Sequence, residues 1–200
     1  MTFRDLSDTD APRVRPRGLY RAGLKRGLDI ALVLLTLPVS LPIILGLMLL
    51  VALDGGAPLY RQKRLGRGGR VFSMIKIRTM VPDADAQLER HLQRHPAARR
   101  EWDETQKLKC DPRITRVGRL LRKTSLDELP QLWNVLAGDM SLVGPRPMMV
   151  DQRALYPGSA YFDLRPGITG PWQISDRNES SFAARAAFDS DYLASLSLGR

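Results

Sequence analysis

The chain has 200 residues and a mass of 22.4 kDa, enough for one domain with a modest hydrophobic core. It carries 31 lysines and arginines against 21 aspartates and glutamates, a formal net charge of +10, and 44% of its residues are hydrophobic. This composition excludes a disordered polar chain and a membrane protein with many spans, and a single cysteine excludes an internal disulfide framework or a cysteine-based zinc site.

The N-terminal quarter divides into a basic segment, residues 1–28, and an apolar segment, residues 29–54. No charged side chain lies between Asp29 and Asp54. A helix of this length reaches about 36 Å at ~1.5 Å per residue, enough to cross a ~30 Å hydrocarbon layer. Pro38 and Pro42 each remove a backbone donor, so we predict that the helix bends or breaks there, with Ser40 placed to bond a freed carbonyl.

Both flanks of the apolar segment are basic, and basic flanks favour the cytoplasmic side of a membrane. The flanking residues are Arg13, Arg15, Arg17, Arg21, Lys25 and Arg26 before it, and Arg61, Lys63, Arg64, Arg67 and Arg70 after it. The pattern predicts a re-entrant helical hairpin that dips into one leaflet and returns. A single kinked span is the alternative, because spanning helices tolerate proline.

The remainder, residues 55–200, reads as one catalytic or binding domain that is α+β and mainly helical. Residues 58–64 and 71–79 predict a β-hairpin around a glycine-rich turn at 66–69, and Lys76 and Arg78 share one face of its second strand. Helical patterns cover residues 83–109, 114–123, 129–136 and 179–196. The amphipathic helices are expected to lie at the cytoplasmic interface, and the basic residues 13–28 to lie on the membrane surface, where anionic lipid attracts each Lys or Arg by roughly 1 kcal/mol.

Asp127 and Glu128 are adjacent acids at or just before a predicted helix N-terminus, which begins either in a capping box from Ser125 to Glu128 or at Pro130. A helix cap is the structural interpretation of the pair. The chemical one is that a carboxylate held there ligates Mg²⁺ or attacks phosphorus as a nucleophile.

Several basic residues stand on rigid backbone or close to these acids. Arg146 lies between two prolines and Arg165 precedes Pro166. The candidates for phosphate binding are Arg146, Arg165, Lys76, Arg78 and Arg122, since guanidinium groups suit bidentate phosphate recognition. Acids, fixed arginines and a membrane segment together indicate phosphate chemistry at a bilayer.

Longer sequence motifs indicate a specific protein family for this phosphate chemistry. They are the run from Thr124 through Gly-Pro-Arg-Pro147, Arg165-Pro-Gly-Ile-Thr-Gly170, Lys76-Ile-Arg-Thr-Met80, Gln62 to Gly66, Trp172 to Ser175, and Arg177-Asn178. Together with the proline-containing apolar segment they resemble the bacterial sugar transferases, which are monotopic phosphoglycosyl transferases. The details after Trp172 are similar to the ExoY-like galactosyl-phosphate branch.

The resemblance implies an enzyme that transfers a sugar-1-phosphate from a UDP-sugar to polyprenyl (undecaprenyl) phosphate, releasing UMP, as the first membrane step of exopolysaccharide or other surface glycan synthesis. By analogy Asp127 is the nucleophile and Mg²⁺ ligand, and Glu128 is its partner in a catalytic dyad. The sugar itself is left open.

The resemblance also implies a place for the protein in the cell and some of its partners. It places the chain at the bacterial inner membrane, on anionic phospholipid, with its catalytic domain on the cytoplasmic face and no nucleic-acid partner, and it is compatible with a dimer. Family members continue into another apolar helix, so we expect a C-terminally truncated chain. A nucleic-acid-binding protein and a non-catalytic membrane-surface scaffold are the alternatives that the charge alone permits.

Overall fold

The structure is a computed structural model that describes residues 23–105, 108–175 and 182–196. It is mainly helical, as predicted, with two small sheets, of which the sequence predicted one, the β-hairpin. Predictions for the basic segment before Gly23, and for Arg177 and Asn178, lie outside the described residues. The elements in chain order are α1 (Lys25–Ala52), β1 (Leu59–Leu65), β2 (Val71–Ile77), α2 (Ala84–Arg94), α3 (Pro96–Thr105), α4 (Arg116–Thr124), α5 (Gln131–Ala137), β3 (Ser141–Val143), α6 (Ala160–Asp163), β4 (Gly167–Thr169), α7 (Pro171–Ile174) and α8 (Arg185–Ser195).

Helix α1 contains both Pro38 and Pro42 without a break in the helix, so the predicted break is wrong, and a bend at the two prolines stays a prediction. Prolines four residues apart lie on one face, so the missing hydrogen bonds fall on that face and the rest of the ladder continues. The hydroxyl of Ser40 is buried and has no hydrogen-bond partner within the described residues, so it does not bond a freed carbonyl. By length and composition this helix could cross a membrane, and only 11% of its most apolar stretch of 18 residues is buried.

The predicted β-hairpin is confirmed, with boundaries shifted by one or two residues. Strands β1 and β2 form a two-stranded sheet, and a 3-10 turn at Arg67–Gly69 connects them. Gly68 has φ of +69°, in the left-handed region that favours glycine. The glycine-rich turn therefore closes the hairpin, as the sequence indicated.

The described chain forms two compact units, each with its own core. The first unit contains residues up to 35, 62–74 and 132 onward; the second contains residues 36–61 and 75–131.

In the first unit, one core cluster gathers around Val33, Met74 and Val135, and another around Leu65, Met148 and Tyr161. Strands β3 and β4 pair in parallel here, with Ser141 beside Gly167 and Val143 beside Thr169.

The start of helix α1 is fixed to the first unit by polar contacts. Asp29 is buried, and its carboxylate accepts hydrogen bonds from the Ser141 hydroxyl at 2.7 Å and the Leu142 backbone N–H at 3.3 Å. Arg26 donates to the carbonyl of Leu136 at 3.0 Å, at the carboxyl end of α5 where carbonyls lack helical partners. The first turns of α1 are thereby built into a folded domain.

In the second unit, α4 packs against the residues that follow β2. Val51, Ile77 and Leu121 form its buried core cluster. Thr115 caps α4, because its side-chain oxygen accepts the Gly118 N–H at 2.8 Å. A Cβ at Gly118 would stand 2.1 Å from the carbonyl oxygen of Thr79, so only glycine permits this close approach.

We expect the substitution Gly118→Ala to lower the free energy of unfolding by about 1–3 kcal/mol. The added methyl group would clash with the backbone carbonyl of Thr79, which cannot rotate away as a flexible side chain can. The control is Gly27→Ala in α1, where an added Cβ meets nothing within 4 Å. Alanine is favoured over glycine in a helix by up to ~1 kcal/mol, so the control should not destabilise the protein. Denaturant unfolding in one detergent measures both, and equal stability of the two variants would contradict this packing.

Candidate active site

The two acids lie in a tight turn between helices α4 and α5. Helix α4 ends at Thr124, and Ser125 follows with φ of +57°, which reverses the chain. A single 3-10 turn, Leu126–Glu128, then carries both carboxylates. Leu126 packs against the core cluster around Leu121 and holds this turn in place.

The capping box from Ser125 to Glu128 is not formed, so this prediction is wrong. The Ser125 side chain makes no capping bond, and the Glu128 backbone N–H donates to the Ser125 carbonyl at 3.1 Å. Helix α5 begins at Gln131, directly after Pro130, as the second interpretation expected. The acids therefore precede α5, and Glu128 is left available for a different partner.

That partner is Lys76 of strand β2. Its ammonium donates to Oε1 of Glu128 at 2.7 Å, and the two side chains are 22% and 25% exposed. Because the pair is largely shielded from water, its attraction is screened less than that of a surface pair. The ion pair fixes the end of β2 beside the acidic turn.

Asp127 is 8% exposed, the more buried member of the dyad. Burial raises the pKa of its carboxyl group, the positive charge of Lys76 lowers it, and the neighbouring Glu128 raises it. Arg122 also favours the ionised form. The net pKa shift is upward, so the fold holds Asp127 where its proton leaves less readily than in water.

Arg122 and Arg78 are both in this unit, but they lie in different places. The Nε–H of Arg122 donates to the hydroxyl of Thr79 at 2.8 Å. Arg78 donates through Nη2 to the carbonyl of Val51 at 3.0 Å, at the end of α1 where a cation is favoured. Lys76 and Arg122 thus both favour the ionised form of Asp127, while Arg78 caps a helix.

Arg146 and Arg165 belong to the first unit. The guanidinium of Arg146 lies 5.8 Å from the ring centre of Trp172, and that of Arg185 lies 4.2 Å from it. Arg165 donates through Nε to the carbonyl of Gly138 at 3.0 Å, after the last turn of α5. Burial lowers the pKa of Arg165, as do the charges of Arg26 and Arg67.

Sequence reasoning missed a polar cluster that lies beside Arg146 in a small pocket, which Trp172, Tyr156, Arg185 and Asp189 also line. The Tyr156 hydroxyl donates to Oδ2 of Asp189 at 2.7 Å. Burial raises the pKa of Asp189 to about 6. No spacing in the sequence marks Asp189, since the helix that carries it is ordinary in composition.

A metal ion would have few protein ligands in the part of the chain that is described. Within it, no group of three or more His, Cys, Asp or Glu side chains is arranged around one point. Because Glu128 is paired with Lys76, Asp127 is the carboxylate of the dyad with fewer commitments. This donor set suits Mg²⁺, which often binds one or two carboxylates together with substrate phosphates.

This chain is similar to one family of known proteins. Residues 20–200 match the family described as bacterial sugar transferase. The UDP-galactose-lipid carrier transferase of Erwinia amylovora is 50% identical over 177 residues, covering 88% of this chain and 37% of that protein. The exopolysaccharide production protein ExoY of Sinorhizobium fredii is 48% identical over 177 residues, covering 87% of this chain and 78% of that protein.

A third relative is the undecaprenyl-phosphate galactose phosphotransferase of Salmonella typhimurium, 46% identical over 177 residues, covering 88% of this chain and 37% of that protein. The chain therefore spans little more than a third of the Erwinia and Salmonella relatives and most of the ExoY protein. These matches confirm the resemblance that the Asp-Glu and Gly-Pro-Arg-Pro motifs suggested, ExoY-like relatives included, and the chain belongs to the bacterial sugar transferase family.

Proposed function

We propose that this protein transfers a sugar-1-phosphate from a UDP-sugar to polyprenyl phosphate, giving polyprenyl-diphosphate-sugar and UMP. The observation that carries the proposal is the buried Asp127 carboxylate, which directly precedes Glu128 and its ion pair with Lys76. The names of the relatives agree with it, since one is a UDP-galactose-lipid carrier transferase and another an undecaprenyl-phosphate galactose phosphotransferase. UDP-galactose is therefore the first donor to test.

In the first step, an oxygen of Asp127 attacks the phosphorus that bears the sugar. A bond forms between the Asp127 oxygen and this phosphorus. The bond from the phosphorus to the oxygen that bridges the two phosphates breaks, and UMP leaves with the bridging oxygen. In the second step, an oxygen of polyprenyl phosphate attacks the same phosphorus and releases the Asp127 carboxylate. Two easier displacements thus replace one transfer between two bound anions.

The neighbouring groups position and neutralise charge, which is most of what phosphoryl transfer requires of a protein. We assign phosphate binding to the two Nη groups of Arg122, because its Nε–H is committed to Thr79. Lys76 holds Glu128 and also favours the ionised Asp127. Arg146 and Arg165 of the first unit stay predictions for phosphate binding.

Mg²⁺ is the cofactor we propose, with Asp127 as the protein ligand. When bound, the ion would offset negative charge on the diphosphate oxygens. Asp127 fits this role because its carboxylate is a hard oxygen donor, while the second carboxylate of the dyad already has a cationic partner.

We propose that helix α1 embeds the protein in the bacterial inner membrane, with the catalytic residues on the cytoplasmic side. Large apolar side chains along it are exposed, including Leu35, Val39 and Leu49 at 76%, 68% and 67%. Because both flanks are basic, we propose that α1 bends at Pro38 and Pro42 without interrupting its helix, so that both of its ends lie on the same face of the membrane. The basic helix α4 would then approach anionic headgroups.

Asp127→Asn should reduce UMP release from UDP-galactose, in the presence of polyprenyl phosphate and Mg²⁺, by at least about a thousandfold, since an amide cannot act as the nucleophile. The control is Asp103→Asn, which alters an exposed acid paired with Arg99 and should keep full activity. Asp127→Asn activity equal to that of the control would support a scaffold instead.

The same substitution should raise stability at neutral pH. Because the pKa of Asp127 is raised from 3.8 in the folded state, its contribution to stability is complete below that value and is lost as pH rises through the folded pKa. Asparagine does not ionise, so Asp127→Asn should unfold at a higher temperature than the unaltered protein at pH 7. The difference in unfolding temperature between the two proteins should disappear as the pH approaches 3.8. An Asp127→Asn protein less stable than the unaltered one at pH 7 would contradict the raised pKa of Asp127.

The path of α1 can be tested by labelling single cysteines in intact cells. The native Cys110 is exposed and is first replaced by serine. Tyr20→Cys and Tyr60→Cys then place one thiol on either side of the apolar segment. We expect an impermeant reagent to label neither thiol until the inner membrane is opened. Labelling of one thiol from outside would instead show a single crossing.

A further inference from the structure

We propose that Thr79 is a positioning residue that orients Arg122 toward the acidic dyad and its phosphate ligand. The inference rests on the proposed function, because Arg122 is there the phosphate-binding guanidinium nearest in sequence to Asp127. Thr79 itself is an uncharged residue between β2 and α2. Within the described part of the chain it makes no hydrogen bond to the carboxylate of Asp127 or Glu128. Its proposed role comes from the two hydrogen bonds that it accepts from helix α4.

Thr79 is buried, at 7% exposure, and contacts both ends of helix α4. Its carbonyl accepts the backbone N–H of Thr115, the N-cap of α4, at 3.1 Å. Its hydroxyl accepts the Nε–H of Arg122, in the last turn of the same helix, at 2.8 Å. One residue therefore fixes where the helix begins and how its last-turn arginine is directed.

The middle of the helix explains how one residue can reach both ends. Gly118 lies between Thr115 and Arg122, and its missing side chain lets the helix backbone approach Thr79 closely. Because the approach is backbone to backbone, the main chain of Thr79 is held against α4, with its hydroxyl at hydrogen-bond distance from Arg122. The bond to Arg122 is thus built into the packing of α4.

An arginine on a helix surface ordinarily samples many rotamers, and fixing such a side chain costs up to about 2 kcal/mol of conformational entropy. The hydrogen bond to Thr79 offsets that cost before any substrate binds. It occupies Nε, and no hydrogen bond from the described residues engages either Nη group, so both can donate to a phosphate. Arg122 lies in the last turn of α4, and the 3-10 turn that carries Asp127 follows directly after Ser125, so Thr79 acts on the dyad through Arg122.

The test uses the full chain in lipid nanodiscs with UDP-galactose, polyprenyl phosphate and Mg²⁺, and compares two substitutions. Thr79→Val keeps the shape of the side chain and loses the hydroxyl, and we expect kcat/KM to fall roughly ten- to hundredfold, as for a hydrogen bond to a charged group. Thr79→Ser keeps the hydroxyl and should stay within about threefold. The matched control is Thr124→Val, which removes a hydroxyl that, within the described ranges, bonds only to carbonyls of its own helix and should leave kcat/KM unchanged.

A double-mutant cycle separates positioning from a general loss of structure. In an Arg122→Met background there is no guanidinium to orient, so adding Thr79→Val should change kcat/KM by less than about twofold. If Thr79 only supported the fold, its substitution would cost as much in that background as in the unaltered protein. Equal costs would overturn the proposal.

A second readout does not depend on turnover. The Nε–H of Arg122 should give a slowly exchanging resonance in nitrogen-15 spectra, identified by its absence in Arg122→Met. The signal should persist in Thr79→Ser and exchange fast in Thr79→Val. An unaltered signal in Thr79→Val would overturn the inference, whereas a responsive signal in a protein that releases no UMP would reject the proposed function and leave the positioning intact.

Discussion

Burial of the Asp127 carboxylate is the constraint on which the rest of the site depends. Removing an ionised carboxylate from water is costly unless charges and hydrogen bonds compensate. Here Lys76 and Arg122 supply the compensating charge, and each arrives on a separate element. Strand β2, helix α4 and the 3-10 turn therefore have to be held in one arrangement.

The arrangement also explains why the two acids of the dyad differ. Glu128 has a lysine at hydrogen-bond distance and is about a quarter exposed, whereas burial is the largest influence on Asp127. Two adjacent carboxyl groups thus occupy different environments, and such differences allow neighbouring acids to take different chemical roles. We assign the attack on phosphorus to Asp127 because it is the member without a close ion pair.

Local patterns predicted much of the fold. The glycine-rich turn at 66–69 indicated the hairpin, the uncharged stretch after Asp29 indicated α1, and Pro130 marked the start of α5. The motif around Asp127 also indicated the family, because it is one continuous run of residues. These features depend on neighbours in sequence, so short patterns contain the information.

Contacts between distant residues could not be predicted in this way. Lys76 meets Glu128 and Thr79 meets Arg122 across 52 and 43 positions, and nothing near Thr79 signals its partner. The wrong predictions have a related cause. Ser125 resembled a cap, but its left-handed conformation turns the chain, and Pro38 and Pro42 suggested a break that the surrounding helix absorbs.

The central claim is that Asp127 bonds covalently to the phosphorus that bears the sugar, and peptide mass spectrometry tests it most directly. The full chain would be mixed with UDP-galactose and Mg²⁺ in the absence of polyprenyl phosphate, quenched in acid and digested. The account predicts one sugar-phosphate adduct on the peptide that contains Asp127, formed together with one UMP, and its disappearance when polyprenyl phosphate is added. Release of UMP with no adduct, or an adduct on another residue, would contradict it.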